Sequence, residues 1–377
     1  MDWTAFRDHF PVTARWAFLD HAAVAPLPDA AVRALDEYGR SLADNGVAVV
    51  KDWLGRIGHV RRLAARLINA PDPDDVYFVP NTTHGVSVIA EGFPWAPGDN
   101  VVLAAEEYPA NQYPWMNLAG RGVEVRAVPS RGSRLSADDL RAAMDARTRV
   151  LTVSSVEFAS GFRNDLDALG ELCRGRGVFF FVDAIQSLGA FPLDVQKTPI
   201  DALSADGHKW MLGPEGAGIG YVRREWVGRL HPVGVGAFSV VRPFAFSTID
   251  FTLKPHAGRW EGGAYNVPGI TALGASLELL LSAGIENVAA RVLELTDYLC
   301  DRAASAGLEV FSSRAAGEKS GIVSLVKPGA SPDELVRRCR AAGVVVASRA
   351  DRLRVSPHAY NTPAEIDRFL DVVRGCG

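Results

Sequence analysis

Cysteine is scarce in this chain. Four of its 377 residues are cysteines, Cys173, Cys300, Cys339 and Cys376, and no two share a CxxC or other metal-ligand spacing. A disulfide framework and a structural zinc site are therefore not expected, and so few thiols fit a reducing, cytoplasmic setting. Long apolar runs are missing too: nothing approaches the roughly eighteen uncharged apolar residues of a membrane helix. The most apolar stretch, 273–281, is broken by Ser276 and Glu278. Asp2 and Asp8 stand where a secretory leader needs basic residues followed by an apolar run, so no leader is expected. Charge of one sign is also absent, since 40 basic residues face 44 acidic ones for a net of -4. Neither nucleic acid nor a membrane surface is expected as the main partner, and a small molecule is the better expectation. Only six basic residues are lysines, at 51, 197, 209, 254, 319 and 327.

With 48% hydrophobic and 22% charged residues, the chain has the composition of a compact globular protein, long enough for two or three domains. Short apolar runs at 76–79, 101–104, 123–128, 150–154, 178–182, 202–205 and 219–222 read as strands. Helix-period segments lie between them at about 84–93, 113–120, 136–145 and 165–175. This alternation predicts an α/β fold with a mainly parallel sheet covered on both faces. Two longer helical patterns follow, around 270–280 and 288–299, and after Gly307 the order becomes strand, strand, helix, strand, strand, helix. Both late helices open on a Ser or Thr with Pro next and Glu three residues on, at Ser331 and Thr362, which predicts a capping box at each. The expected organisation is a large α/β domain at 18–262 and a smaller α+β domain at 263–377 that takes in the N-terminal arm, 1–17.

In open α/β sheets ligands gather beyond the carboxyl ends of the strands, which directs attention to three segments. Asn81, Thr82, Thr83 and His84 open a helix after the first strand, where hydroxyls and free N–H groups suit a phosphate. Asp183, Ala184, Ile185 and Gln186 follow the apolar run 178–182. Asp206, Gly207, His208 and Lys209 follow 202–205. Taken singly, each has a plain structural reading: an N-cap, a turn cap, a solvated lysine. Together they describe one ligand, with a phosphate, a ring cation that wants an aspartate and an aldehyde that wants a lysine. Pyridoxal 5′-phosphate has all three. Gly216–Gly220 looks like half a dinucleotide fingerprint, but it precedes a strand and lacks the GxGxxG spacing, so a Rossmann dehydrogenase is set aside.

The stretches 181–187 and 205–210 resemble the cofactor signature of the class V aminotransferase family, within the fold type I pyridoxal-phosphate enzymes. That family takes in cysteine desulfurases, selenocysteine lyases, isopenicillin N epimerases and kynureninases. Segments 18–23, 81–84, 259–263 and 354–362 resemble it as well, so the likeness spans most of the chain. It implies Lys209 as the Schiff-base lysine, Asp183 at the pyridine nitrogen and Gln186 near the phenolic oxygen. Thr83 with His208 would hold the phosphate, Tyr108 would stack on the ring, and Thr82, His84, Ser155 and Asp206 are counted with them as cofactor-binding residues. It further implies a substrate carboxylate held by Arg354, with Arg349, His21 and His358 bordering the pocket, and a homodimer with the active site near the interface.

The departures are as informative. Desulfurases of the family carry a loop with a nucleophilic cysteine near 349–362, and here Ala350, Asp351 and Arg352 fill a short connection with none. Asp206 stands where relatives often have a phosphate-binding Ser, Ala264 where many have Thr, and Ser155 where some have Asn. The expected activity is an aminotransferase or a thiol-independent C–S lyase acting on an amino acid. An epimerase or kynureninase-like hydrolase ranks behind, and a non-catalytic binding protein last, since both Lys209 and Asp183 are present.

Overall fold

The structure is a computed structural model and describes residues 1–375. Its centre is a seven-stranded sheet. In spatial order the strands are Val76–Val79, Gly218–Val222, Ala202–Asp206, Phe179–Asp183, Thr148–Ser154, Asn100–Ala104 and Glu124–Val128. Only Gly218–Val222 runs against its two neighbours. The other six point the same way, so Val79, Asp183 and Asp206 all arrive at one edge of the sheet.

The run 178–182 shows why the sheet is covered on both sides. Phe179 and Phe181 pack with Phe93 and Trp115 on one face, while Phe180 and Val182 join Leu203 and Leu277 on the other. Successive side chains of a strand point to opposite faces, so a strand apolar at every position needs a layer on each. The covering helices include Thr82–Gly92, Leu166–Arg176 and Val267–Ala283, and the last also packs against Asp29–Asn45 and Val50–Leu67. Among the described residues no single helix is long and apolar enough to cross a membrane.

A second core gathers Leu295, Leu299, Leu325, Leu353, Ile366 and Phe369 beneath an antiparallel sheet of Ala347–Arg349, Arg352–Val355, Val323–Val326 and Glu309–Val310. The N-terminal arm reaches it: Ala17–Phe18 pairs in parallel with Val344–Val345, and the Phe10 ring stacks on Tyr360 at 4.0 Å. Thr362 and Glu365 form the expected capping box at Pro363–Arg374. Ser331 does not cap Pro332–Ala341. Glu334 is drawn instead to Arg337 and Arg338 along its own helix, which leaves nothing to reach back to the cap.

Candidate active site

Beyond the carboxyl edge of the large sheet lies a cavity of about 280 Å³. Its lining draws on three strand ends: Asn81, Thr82 and Thr83 after the first, Asp183 and Gln186 after the fourth, Asp206, His208 and Lys209 after the third. Tyr108, Phe158, Arg349, Arg354 and the segment Ala22–Val24 close it. Residues more than a hundred positions apart meet here because parallel strands end at a common edge and the connections fold over it.

Lys209 is 8% exposed, with Nζ 5.6 Å from the centroid of the Tyr108 ring. Burial pulls its ammonium down to about 8; Asp183 and Asp206 oppose the shift, while Arg354 and Arg349 add to it. An amine so placed is about one-tenth neutral at pH 7, far more than an ordinary lysine, and the neutral amine is the form that attacks an aldehyde. Asp183 is buried, and burial raises its carboxyl to about 6 against the opposing pull of the Ile185 N–H and Lys209. Its Oδ1 accepts from the Ile185 N–H at 3.0 Å, but Oδ2 is buried with no partner. A buried carboxylate oxygen left unpaired is costly, and a protonated ring nitrogen would satisfy it. Gln186 accepts from Trp210 Nε1 at 3.0 Å and donates to the Ala22 carbonyl at 3.2 Å, keeping one amide N–H in reserve.

At the phosphate end, Asn81 caps the helix Thr82–Gly92 by accepting from the His84 N–H at 2.8 Å. Thr82 Oγ1 accepts from the Asp206 N–H at 3.0 Å, so its hydroxyl proton remains to donate. These features fit pyridoxal phosphate: an unpaired acid for the ring nitrogen, a buried amine for the aldehyde, and a helix N-terminus with hydroxyls for the phosphate.

Four residues expected here lie elsewhere. Ser155 binds Ser187 Oγ at 2.6 Å and lines a separate cleft of about 610 Å³ with Asn164 and Arg163. Its main chain already pairs with that of Asp183, which turns the side chain away from the cavity. His84 faces Trp260 and Gly263 in another depression, because the first helical turn sends consecutive residues to different sides. His21 and His358 are fully buried behind the cavity, bonded to Tyr360 Oη at 2.7 Å and the Trp210 carbonyl at 3.3 Å respectively, and burial depresses both imidazoles. They brace the junction with the second core.

The profile of the aminotransferase class-V family matches residues 17–369. The chain belongs to that family. Members are pyridoxal-phosphate enzymes that act on amino acids, and the cavity carries the parts this chemistry needs. A probable cysteine desulfurase of Methanothermobacter thermautotrophicus is 28% identical, covering 98% of each chain. A cysteine desulfurase of Cronobacter sakazakii is 32% identical over 75% of this chain and 72% of its own. Among solved structures, apo cysteine desulfurase from Thermococcus onnurineus superposes with a TM-score of 0.91 at 23% identity, over 99% of this chain and 97% of its own. The cystine C–S lyase C-DES, in complex with its product cysteine persulfide, gives 0.91 at 23% identity, over 97% and 99%.

Some functional neighbours carried weaker signals. Phe158 lies four residues beyond the strand Thr148–Ser154, and its ring meets Tyr108 edge-on at 5.2 Å. Asp20 stood within a family-like segment but without a role. Glu107, beside Tyr108, is buried and accepts from Ser154.

Proposed function

We propose that this class-V enzyme cleaves the Cβ–S bond of a sulfur amino acid without a protein thiol. One observation carries the reading. Where family desulfurases hold their cysteine loop, this chain turns in two residues, Ala350 and Asp351, with φ of 48° and 58°. Both left-handed values are those of a tight hairpin between Ala347–Arg349 and Arg352–Val355, with no length to deliver a thiol. Among the described residues no cysteine lines the cavity. Burial pushes the Cys300 thiol up to about 11 and the Cys173 thiol further.

Without a protein thiol to receive sulfur, the substrate must bring its own leaving group, as the disulfide of cystine does. Cystine and water would give pyruvate, ammonium and cysteine persulfide, a balance with no external oxidant or reductant. The fold shared with the cystine C–S lyase C-DES supports this reading. Bound in the cavity, pyridoxal phosphate supplies the electron sink for the pair left at Cα. The chain's own groups do the rest. Lys209 Nζ takes the Cα proton as general base, Asp183 Oδ2 keeps a proton at the ring nitrogen, and Arg354 and Arg349 orient the substrate carboxylate. Tyr108 and Phe158 keep water off the reacting face.

The test is to give the cofactor-loaded enzyme cystine, cysteine and alanine, the last with a keto acid. Pyruvate and persulfide from cystine, with no added thiol, support the reading. Amino transfer without sulfur release would make the protein an aminotransferase, and inversion at Cα an epimerase.

We also propose a homodimer. Phe244, Phe246, Ile249 and Phe251 lie within eight residues, Phe246 at 82% and Ile249 at 96% exposure, and a patch of this kind calls for a partner. Phe246→Asp with Ile249→Asp should shift the mass in solution from two chains to one. A single-chain mass for the parent would refute the dimer.

A further inference from the structure

Asp206 poses a physical problem in the proposed site. Its carboxylate is buried at the end of the cavity where Thr82, Thr83 and the N-terminus of Thr82–Gly92 gather, the end suited to a phosphate dianion. Two negative groups side by side repel strongly when water is excluded. The geometry around Asp206 answers this. One carboxylate oxygen, Oδ1, accepts from the Gly207 N–H at 2.7 Å, and the other, Oδ2, stands 2.9 Å from Nδ1 of His208. That Nδ1 is itself buried and, among the described residues, makes no aligned hydrogen bond, so the carboxylate meets it as the close partner of an ion pair. His208 also lines the cavity, and among the described residues its Nε2 has no hydrogen-bond partner.

We infer that Asp206 is a positioning residue that acts through His208: it holds a proton on Nδ1, so that the imidazole meets the cofactor phosphate as a doubly protonated cation. A neutral imidazole carries one proton. If Asp206 holds it at Nδ1, Nε2 is a bare acceptor and repels the phosphate. If it sits at Nε2, Nδ1 is a lone pair facing a carboxylate. Only the imidazolium satisfies both neighbours, a carboxylate on one side and a phosphate on the other. The same arrangement of a buried aspartate behind a histidine stabilises the imidazolium in hydrolase triads. Asp206 then adds no net repulsion, since the pair is neutral and presents its positive end. The other charged groups lining the cavity are Asp183, Lys209, Arg349 and Arg354, and Asp206 and Asp183 both bear on Lys209.

This inference rests on pyridoxal phosphate being the ligand, and the experiment separates the two. Apoenzyme would be titrated with pyridoxal phosphate and with pyridoxal, which lacks the phosphate but forms the same bond to Lys209. The parent, Asp206→Asn, His208→Gln and the double variant would be compared. Asp206→Asn should weaken pyridoxal phosphate about tenfold more than it changes pyridoxal, the scale of one charge-assisted contact, because any effect of Asp206 on Lys209 is common to both ligands. In the His208→Gln background it should no longer weaken binding. Nitrogen NMR of histidine-labelled, cofactor-loaded protein, with His208 assigned by its loss in His208→Gln, should find both ring nitrogens protonated at pH 7.5. Asp206→Asn should leave one bare. Unchanged or tighter binding by Asp206→Asn, or a bare His208 nitrogen in the loaded parent, overturns the inference alone. Failure of the parent to bind pyridoxal phosphate overturns the cofactor reading with it.

Discussion

The guanidinium of Arg354 donates from one Nη to the Asp20 carboxylate at 3.1 Å and from the other to the Phe158 carbonyl at 3.1 Å, while its Nε is buried without a partner. Arg354 is only 1% exposed, yet it lines the cavity. Two anchors fix the plane of the group and leave Nε with the remaining N–H bonds for a carboxylate. Arg354→Lys cannot reproduce that fork. It should raise KM for the best amino acid at least tenfold while leaving the spectrum of the resting, cofactor-loaded enzyme unchanged. Arg349→Lys should matter less, since Arg349 is only half-buried and bonded to its own neighbour's carbonyl. Parent-like kinetics for Arg354→Lys would mean that another group holds the substrate.

We propose Lys209 as the amine that holds the cofactor. Borohydride treatment of the yellow enzyme should leave the pyridoxyl group on Lys209, read by peptide mass mapping. A label on any other lysine would refute the assignment. Because the buried ammonium titrates at about 8, the rate of cofactor uptake by apoenzyme should climb with pH through that value and then level.

Asp183→Ala should retain some cofactor but lower kcat at least a hundredfold, because an unprotonated ring nitrogen is a poor electron sink. Asp183→Glu, if it reaches the nitrogen, should recover part of the loss. A variant without the carboxyl that turns over normally would remove Asp183 from the mechanism.

Glu157 and Glu107 form a buried acidic pair near Asp183. Burial raises Glu157 from an ordinary 4.5 to about 8, with Glu106 and Asp183 pushing the same way against the Asn164 hydrogen bond. Burial also carries Glu107 well above its ordinary range. An acid whose folded value is raised contributes its stability at low pH and loses it as pH rises through the folded value. Stability should therefore fall between pH 4.5 and 8. Glu157→Gln keeps an oxygen for Asn164 Nδ2 and should flatten that decline, gaining on the order of 1 to 2 kcal/mol at pH 8. Urea denaturation at pH 5 and pH 8 measures it; identical slopes for parent and variant would contradict the assignment.

No thiol should be needed for turnover. A variant with all four cysteines changed to Ser or Ala should, when folded and cofactor-loaded, match the parent on its best substrate. Cys376 lies outside the described residues and is included so that the test covers the whole chain. Loss of activity in any single folded cysteine variant would reverse the proposed reaction.

The sheet was legible in the sequence because most of its inner strands are apolar on both faces, and a run such as 178–182 has few other ways to be buried. Asp183 and Lys209 were legible for a related reason: each directly follows such a strand, and parallel strands deliver their ends to one edge. What the sequence could not decide is direction beyond that edge. Ser155 follows a strand end and His84 lies in the first turn of a helix at the same edge, but the local backbone turns each side chain away from the cavity. His21 and His358 occur in family-like segments, yet they are packed behind the site because side chains from both cores fill the space around them. The pairing of Asp206 with His208, the two anchors of Arg354 and the unpaired oxygen of Asp183 exist only in three dimensions. Hydrogen-bond partners are fixed by distances of a few tenths of an ångström, and residue spacing along the chain does not encode them.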